Sequence, residues 1–196
     1  MRNSILELLR ASGLEPVSGE KISEQLGVSR TAIWKHIQAL KDEGYQIESV
    51  QKRGYILREA PNRLYPQEIS SHLKTKWLGH SVCYEDLLPS TNNVAKSIAN
   101  AGCENGLLVV AEEQGAGKGR LSRGWVSPHA KGIWFSVVLK PPFLPQEASK
   151  CTLLAAVAVV KAVNKIQGVN AAIKWPNDIL LNGRKLVGIL TEMNAE

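Results

Sequence analysis

Apolar and polar positions over residues 1–60 repeat with the period of short amphipathic helices. Ile5, Leu6, Leu8 and Leu9 share one face of a segment over residues 2–11, and Gly13 ends it. Ser18 is placed to cap a second helix that runs through Leu26. Gly27-Val28 makes a tight turn, and Ser29 caps a third helix that runs to about Glu43 and stops at Gly44. The pattern then changes. Ile47 and Val50, then Tyr55 and Leu57, flank Gln51-Lys52-Arg53-Gly54, which reads as a two-stranded ribbon with a basic tip. Helices followed by such a ribbon are the plan of a winged helix-turn-helix, predicted here over residues 1–60.

Residues 61–65 read as a linker, introduced by Ala60-Pro61-Asn62. A small helix is predicted over 66–76. Beyond it, Val82–Glu85 and Leu107–Ala111 read as strands with a helix over Thr91–Ala101 between them. Ile133–Leu139 is a further strand. Pro141, Pro142 and Pro145 mark a loop, and Gln146–Ile166 is a long, largely apolar helix expected to be well buried. Ala172–Trp175 is a strand, and Ile179–Leu181 with Lys185–Leu190 forms a hairpin around Asn182-Gly183. Residues 66–196 are therefore expected to form a second domain, and the fold class is α+β.

Charge changes this picture more than composition does. Apolar residues make up 44% of the 196 positions and charged residues 21%, ordinary values for a globular protein. The net charge of +6 is distributed unevenly, with +1 in residues 1–60 and +5 in residues 61–196. Anion handling is thus expected mainly in the second domain. Cys83, Cys103 and Cys151 lack metal-ligand or disulfide spacing, so no metal site is predicted. The longest strictly apolar run, Leu153–Val160, is too short to span a bilayer, and the N-terminus does not read as a signal peptide. A cytoplasmic protein without membrane contact is expected.

In a helix-turn-helix the second helix of the motif lies in the major groove. Here that is the segment capped by Ser29. Ile33, Ile37 and Leu40 should face the core, which leaves Arg30, Thr31, Trp34, Lys35 and Gln38 outward. Arg forks onto guanine, Gln pairs with adenine and Lys neutralises phosphate. Trp34 suits either packing or a base contact. Lys52 and Arg53 on the wing are placed for the DNA backbone or minor groove. A small bundle used for protein contacts is the plainer alternative.

Gln114–Trp125 is the most unusual stretch. Its glycines, Gly115, Gly117, Gly119 and Gly124, let the backbone approach a ligand closely, while Lys118, Arg120 and Arg123 cluster positive charge that an anion would neutralise. It matches neither the phosphate-binding GxxxxGK[ST] loop nor the dinucleotide GxGxxG, because position 122 is Ser. A flexible solvated loop is the bland reading. Its neighbours favour a site. Ser90-Thr91-Asn92 opens a helix, Lys174-Trp175-Pro176-Asn177-Asp178 closes a strand, and Lys185 follows the hairpin turn.

These segments together resemble the bacterial bifunctional biotin protein ligases that also act as biotin-operon repressors. The resemblance rests on Ser90-Thr91-Asn92, AGKGRLSRGW at 116–125, KWPND at 174–178, GRKLVGIL at 183–190 and the winged helix. It spans the whole chain. It implies a mixed-sheet, class II synthetase-like catalytic domain that joins biotin to ATP as biotinyl-5′-adenylate and passes biotin to a lysine of a biotin carboxyl carrier protein domain. It also implies Mg²⁺ with the ATP, and operator DNA bound by a liganded homodimer. By position, Ser90, Thr91, Asn92 and Gln114 would hold biotin's polar ring, and Lys118, Gly119 and Arg120 its carboxylate and the phosphate. Gly117, Arg123, Trp125 and Asn177 would contact the adenylate, and Arg120 and Lys185 would be the catalytic residues. The family loop carries Arg where this chain has Lys118, which keeps the charge but lacks the planar fork. The family continues past the position of Glu196 with further strands and a small C-terminal β-barrel domain, so an incomplete catalytic domain is expected. A DNA-binding biotin sensor without turnover is accordingly the second expectation, and a lipoate-type acyl ligase the third.

Overall fold

The computed structural model describes residues 1–193. The chain divides into two compact units, Met1–Lys74 and a second from Thr75 onward.

The first unit contains α1 (Arg2–Ala11), α2 (Gly19–Leu26), α3 (Arg30–Asp42), β1 (Gln46–Val50), β2 (Gly54–Glu59) and α4 (Pro66–Ser71). Both predicted caps form. Ser18 Oγ accepts from Lys21 N at 3.1 Å and Ser29 Oγ accepts from Ala32 N at 3.2 Å, satisfying donors that the first turn leaves unpaired. Gly27 takes the left-handed conformation that ends α2. Ile5, Leu6, Leu9, Ile22, Ile33, Ile37 and Leu40 are fully buried and make the core that holds α1–α3 together.

Strands β1 and β2 pair antiparallel as the wing. Val17, just before α2, adds a short third strand. Val17 N donates to Tyr55 O and Tyr55 N donates to Val17 O, each at 2.9 Å. Gly54 makes this close approach possible. Its φ is +123°, and a Cβ there would lie 2.0 Å from the Val17 carbonyl oxygen.

Helix α4 is shorter than the predicted 66–76, and it belongs to the first unit rather than opening the second. The boundary therefore falls after Lys74 and not in the 61–65 stretch. Three side chains of α4 tie it there: Ser70 accepts from Asn3 Nδ2, Gln67 Nε2 donates to Glu43, and Glu68 makes the most buried contact. Glu68 on α4 accepts from Arg10 Nη2 at 2.6 and 2.7 Å and from the Tyr45 hydroxyl at 2.5 Å. Tyr45 is 2% exposed, and its phenol is pushed well above the usual tyrosine range, by burial first and by Glu68 second.

The second unit contains β3 (Val82–Leu88), α5 (Thr91–Ala101), β4 (Leu108–Gln114), β5 (Trp134–Val137), α6 (Ser149–Val163), β6 (Ala171–Lys174), β7 (Asp178–Leu181) and β8 (Arg184–Gly188). One sheet has the order β3-β4-β5, with β3 parallel to β4 and β5 antiparallel to it. Helix α5 is the crossover that the parallel pair requires. It packs on the sheet through a core of Leu88, Ala95, Val109, Ala111 and Val138. The other sheet is the antiparallel meander β6-β7-β8, whose β7–β8 turn is Asn182-Gly183 in left-handed backbone. The mixed α+β plan is as expected.

Helix α6 departs from expectation. It is shorter than Gln146–Ile166, and of its residues only Ala156 is buried. Its apolar side chains run around the whole cylinder, whereas β6 and β7 pack on it from one side. Among the described residues, no helix is long and apolar enough to cross a membrane.

Candidate functional site

Strands β3 and β4 end side by side, with Leu88 and Gln114 in register. Both are longer at this end than the predicted strands, so their carboxyl ends deliver Ser90 and the glycine loop to one place. The loop leaves β4 and returns as a narrow hairpin. Gln114 pairs with Ser127, and Lys118 with Gly124. Gly119 N donates to Arg123 O at 2.7 Å, and Trp125 N donates to Gly117 O at 2.8 Å. Gly115 N and Ala116 N donate to the carbonyls of Leu88 and Pro89. The segment is thus folded rather than solvated coil. Its tip, Leu121-Ser122, is left-handed at both positions, an uncommon conformation for a bulky residue. Gly117 is buried, and a Cβ there would sit 2.3 Å from the Trp125 carbonyl oxygen.

A chain of hydrogen bonds lines the base of the loop. The Ser136 hydroxyl donates to Thr91 Oγ1 at 2.8 Å, and Thr91 Oγ1 donates to Gln114 Oε1 at 3.1 Å. Thr91 N also donates to Gln114 Oε1, at 2.8 Å, so this side chain caps α5 in place of Ser90. Gln114 Nε2 donates to Ser127 Oγ at 2.9 Å, and Ser127 Oγ to the Trp125 carbonyl at 3.2 Å. Ser136 also contacts Asn92 Oδ1. Asn92 Nδ2 donates to Leu190 O at 3.3 Å and to Glu192 at 2.9 Å. Ser90, Thr91, Ser127 and Ser136 are all buried. The side chains of Thr91, Asn92, Gln114, Ser127 and Ser136 are each held by a neighbour, which fixes their directions before any ligand arrives.

Cations surround this network. Lys118 Nζ donates to Asn93 Oδ1 at 3.0 Å. Arg120 Nη1 donates to Asn177 Oδ1 at 3.0 Å, and Asn177 Nδ2 donates to Ile189 O at 3.2 Å. These contacts tie the loop to the segment around β7 and β8. Lys185 Nζ lies 2.7 Å from Asp178 Oδ1 and 4.9 Å from the centre of the Trp125 ring. That carboxylate oxygen is buried and has no other hydrogen-bond partner. Trp125 lies over Gly188, where a Cβ would meet the ring at 3.0 Å. Arg123 is exposed on the return of the loop, and Gly119 is half-buried opposite it.

Ser90, Thr91, Asn92, Gln114, Lys118, Gly119, Arg120, Arg123, Trp125, Asn177 and Lys185 all line one concavity, whereas Gly117, also singled out from the sequence, is buried behind it against the Trp125 carbonyl. The concavity's volume of about 2330 Å³ exceeds the ~300–1,000 Å³ of an enclosed ligand pocket, and the fixed polar groups occupy one part of it. Sequence reasoning missed Asn93, Ser127 and Ser136, and it placed Asp178 in the Lys174–Asp178 turn without its ion pair to Lys185. A lone hydroxyl inside an otherwise apolar strand, Trp134–Val137, is the signal that marks Ser136.

In the first unit, Ser29 starts α3 and is spent on its cap. Arg30, Thr31, Trp34 and Lys35 are exposed and Gln38 is half-buried on the side away from the core. Together with the wing, Arg30, Thr31 and Trp34 border a groove of about 660 Å³, which Lys52 and Arg53 complete. Arg53 lies 3.8 Å from Glu15, both well exposed, so the pair is weak and easily exchanged for another anion.

Comparison with known proteins accords with this division. Residues 84–196 match the biotin/lipoate A/B protein ligase family, and residues 2–56 match a helix-turn-helix domain family. The bifunctional ligase/repressor BirA of Bacillus subtilis is 48% identical over 196 residues, all of this chain and 60% of that protein. The Escherichia coli protein of the same name is 34% identical over 179 residues, 91% of this chain and 54% of its own. A solved structure, the biotin protein ligase of Aquifex aeolicus in complex with biotin and ATP, superposes with a TM-score of 0.51 at 28% identity. That match covers 58% of this chain and 47% of the other. The chain thus spans about 60% of the length of its Bacillus relatives.

Proposed function

Because the chain belongs to the biotin/lipoate A/B protein ligase family, we propose that it acts as an ATP-dependent biotin protein ligase and also binds operator DNA as a repressor. One observation carries the ligase reading. A set of buried donors and acceptors with fixed directions, Thr91–Gln114–Ser127 with Ser136, opens beside Lys118, Arg120 and Lys185. A ligand that suits both parts has a small polar ring at one end and an anion at the other, which describes biotin.

In this reading Ser90, Thr91, Asn92 and Gln114 hold the ring. Lys118, Gly119 and Arg120 take the carboxylate and bring it to the α-phosphate of ATP. A carboxylate oxygen forms the new P–O bond and pyrophosphate leaves with its electron pair. The lysine amine of a biotin carboxyl carrier protein domain then attacks the acyl carbon. AMP departs, and the amine gives up a proton. Arg120 and Lys185 are the catalytic residues, because charge builds on phosphate oxygens between them, and positioned cations favour that build-up. Gly117 lets the loop close on the ligand. Arg123, Trp125 and Asn177 surround the adenylate, with Trp125 supplying the apolar surface. Asp178 holds the Lys185 ammonium until phosphate replaces it. Mg²⁺ would enter with the ATP phosphates. No group of three or more His, Cys, Asp or Glu side chains comes together among the described residues, so phosphate and water would supply most of its ligands.

On the first unit, Arg30, Thr31, Trp34, Lys35 and Gln38 form the groove-facing surface of α3 and Lys52 and Arg53 the wing contact, with Ser29 ordering the start of the helix. A liganded homodimer would present two such surfaces to paired half-sites. This chemistry belongs in the cytoplasm, where ATP, carrier protein and operator meet.

Biotin-dependent exchange of labelled pyrophosphate into ATP tests the ligase reading. Exchange is expected, and Arg120→Ala should let the adenylate escape roughly ten- to a hundredfold faster with unchanged melting, as for loss of a charged hydrogen bond. Unchanged retention would contradict the assignment. Calorimetry with biotin against lipoate separates the two branches of the family. Biotin binding without exchange would leave a sensor in place of an enzyme.

A further inference from the structure

We propose that Trp34 is a sequence-reading residue whose indole packs on the 5-methyl group of a thymine in the major groove. This rests on the DNA-binding half of the reading above and makes that surface selective rather than merely cationic.

The side chain lies in an unusual place. Ile33, Ile37 and Leu40 fix the orientation of α3, since all of them are fully buried. Trp34 is therefore turned outward, and it is 54% exposed. It shares a stripe with Arg30 and Gln38, four residues to either side, and with Thr31 one turn earlier. A large aromatic surface left in water, bracketed by cations, suits a partner that is anionic yet offers an apolar edge. The groove it borders has Arg30, Lys52 and Arg53 on its walls and no carboxylate among its lining residues.

Duplex DNA meets both requirements, and it limits where the indole can bind. The phosphates satisfy Arg30, Lys52 and Arg53. In the major groove the thymine methyl is the apolar group presented at a base edge, while the other edges offer hydrogen-bond donors and acceptors. Trp34 is the fifth residue of α3, within the first turns that face base edges when a recognition helix docks. Position, exposure and chemistry converge on a methyl contact.

The experiment uses the full chain with biotin and ATP, and duplexes selected from a pool with a randomised centre. Each thymine of the selected duplex is replaced in turn by uracil, which removes only the methyl group. At one position per half-site the replacement is expected to weaken wild-type binding about fourfold, as for one buried methyl. Trp34→Ala should bind the thymine duplex less tightly, lose all discrimination between thymine and uracil there, and melt as the wild type does. Trp34→Phe should keep part of the discrimination. Lys52→Ala should weaken binding to every duplex alike and lower its salt dependence, leaving the methyl preference intact. The proposal falls if no position senses the methyl, or if Trp34→Ala retains the wild-type thymine-to-uracil ratio. Salt-sensitive binding without sequence preference would also overturn it, leaving phosphate contact alone. Failure to bind any duplex would instead remove the DNA-binding reading on which it stands.

Discussion

Ile33, Ile37 and Leu40 of α3 are completely buried, whereas α6 buries only Ala156 and leaves Leu154 67% exposed. Both helices are rich in apolar residues, but they distribute them differently. In α3 the apolar positions fall at i, i+4 and i+7, so α1, α2 and β1 cover them together. In α6 the run Leu153–Val160 is apolar on all sides, and the elements packed against it reach one side. Burial follows the pattern of apolar residues and the neighbours available, not their number. The contrast extends to chemistry. The first unit keeps the polar residues of α3 and the wing on an outer surface and its inner Arg10–Glu68–Tyr45 cluster structural, while the second links the buried Thr91, Ser127 and Ser136 through Gln114 in a connected network.

Stability measurements can break this comparison. The largest effect should come from Gly54→Ala. The added Cβ overlaps the Val17 carbonyl, and a left-handed backbone strains it further. A loss above ~4 kcal/mol is expected in the denaturant transition of the first unit, together with loss of DNA binding. Next comes a matched pair. Ile37→Ala should cost about 2–5 kcal/mol, and Leu154→Ala less than ~0.5 kcal/mol. Equal costs would show that α6 is as well covered as α3. Between the two members of that pair falls Tyr45→Phe, which removes one hydrogen bond to Glu68 and should cost about 1 kcal/mol. It carries a pH signature. The Tyr45 phenol is raised in the folded state, so the unfolded chain loses this proton first as pH rises past ~10. Stability of the wild-type first unit should therefore decline above that pH, and the Tyr45→Phe variant should decline less.

Much of the fold was legible because local signals and tertiary packing agree. Ser18 and Ser29 cap the helices they precede, α5 spans Thr91–Ala101 as predicted, and Asn182-Gly183 turns the β7–β8 hairpin. Legibility failed where a distant partner decides. Nothing near Glu68 in sequence announces Arg10 and Tyr45, so the packing of α4 on the first unit is not legible from its local pattern. The site divides in the same way. The glycines and cations of residues 114–125 are a dense local pattern. Ser127, Ser136 and Asp178 are single polar residues whose roles exist only once β4, β5 and the Asp178 turn stand next to the loop.

The Val17–Tyr55 bridge has a consequence for the order of folding. Its two hydrogen bonds close a loop that contains all of α2, α3 and β1. Such a contact gains nothing until the enclosed chain has already been drawn in, because loop closure has to precede its reward. The small helical bundle should therefore assemble first and the wing lock onto it last. A slowed or weakened final step would leave the recognition helix formed but the wing tip free, which is the point where Lys52 and Arg53 reach outward.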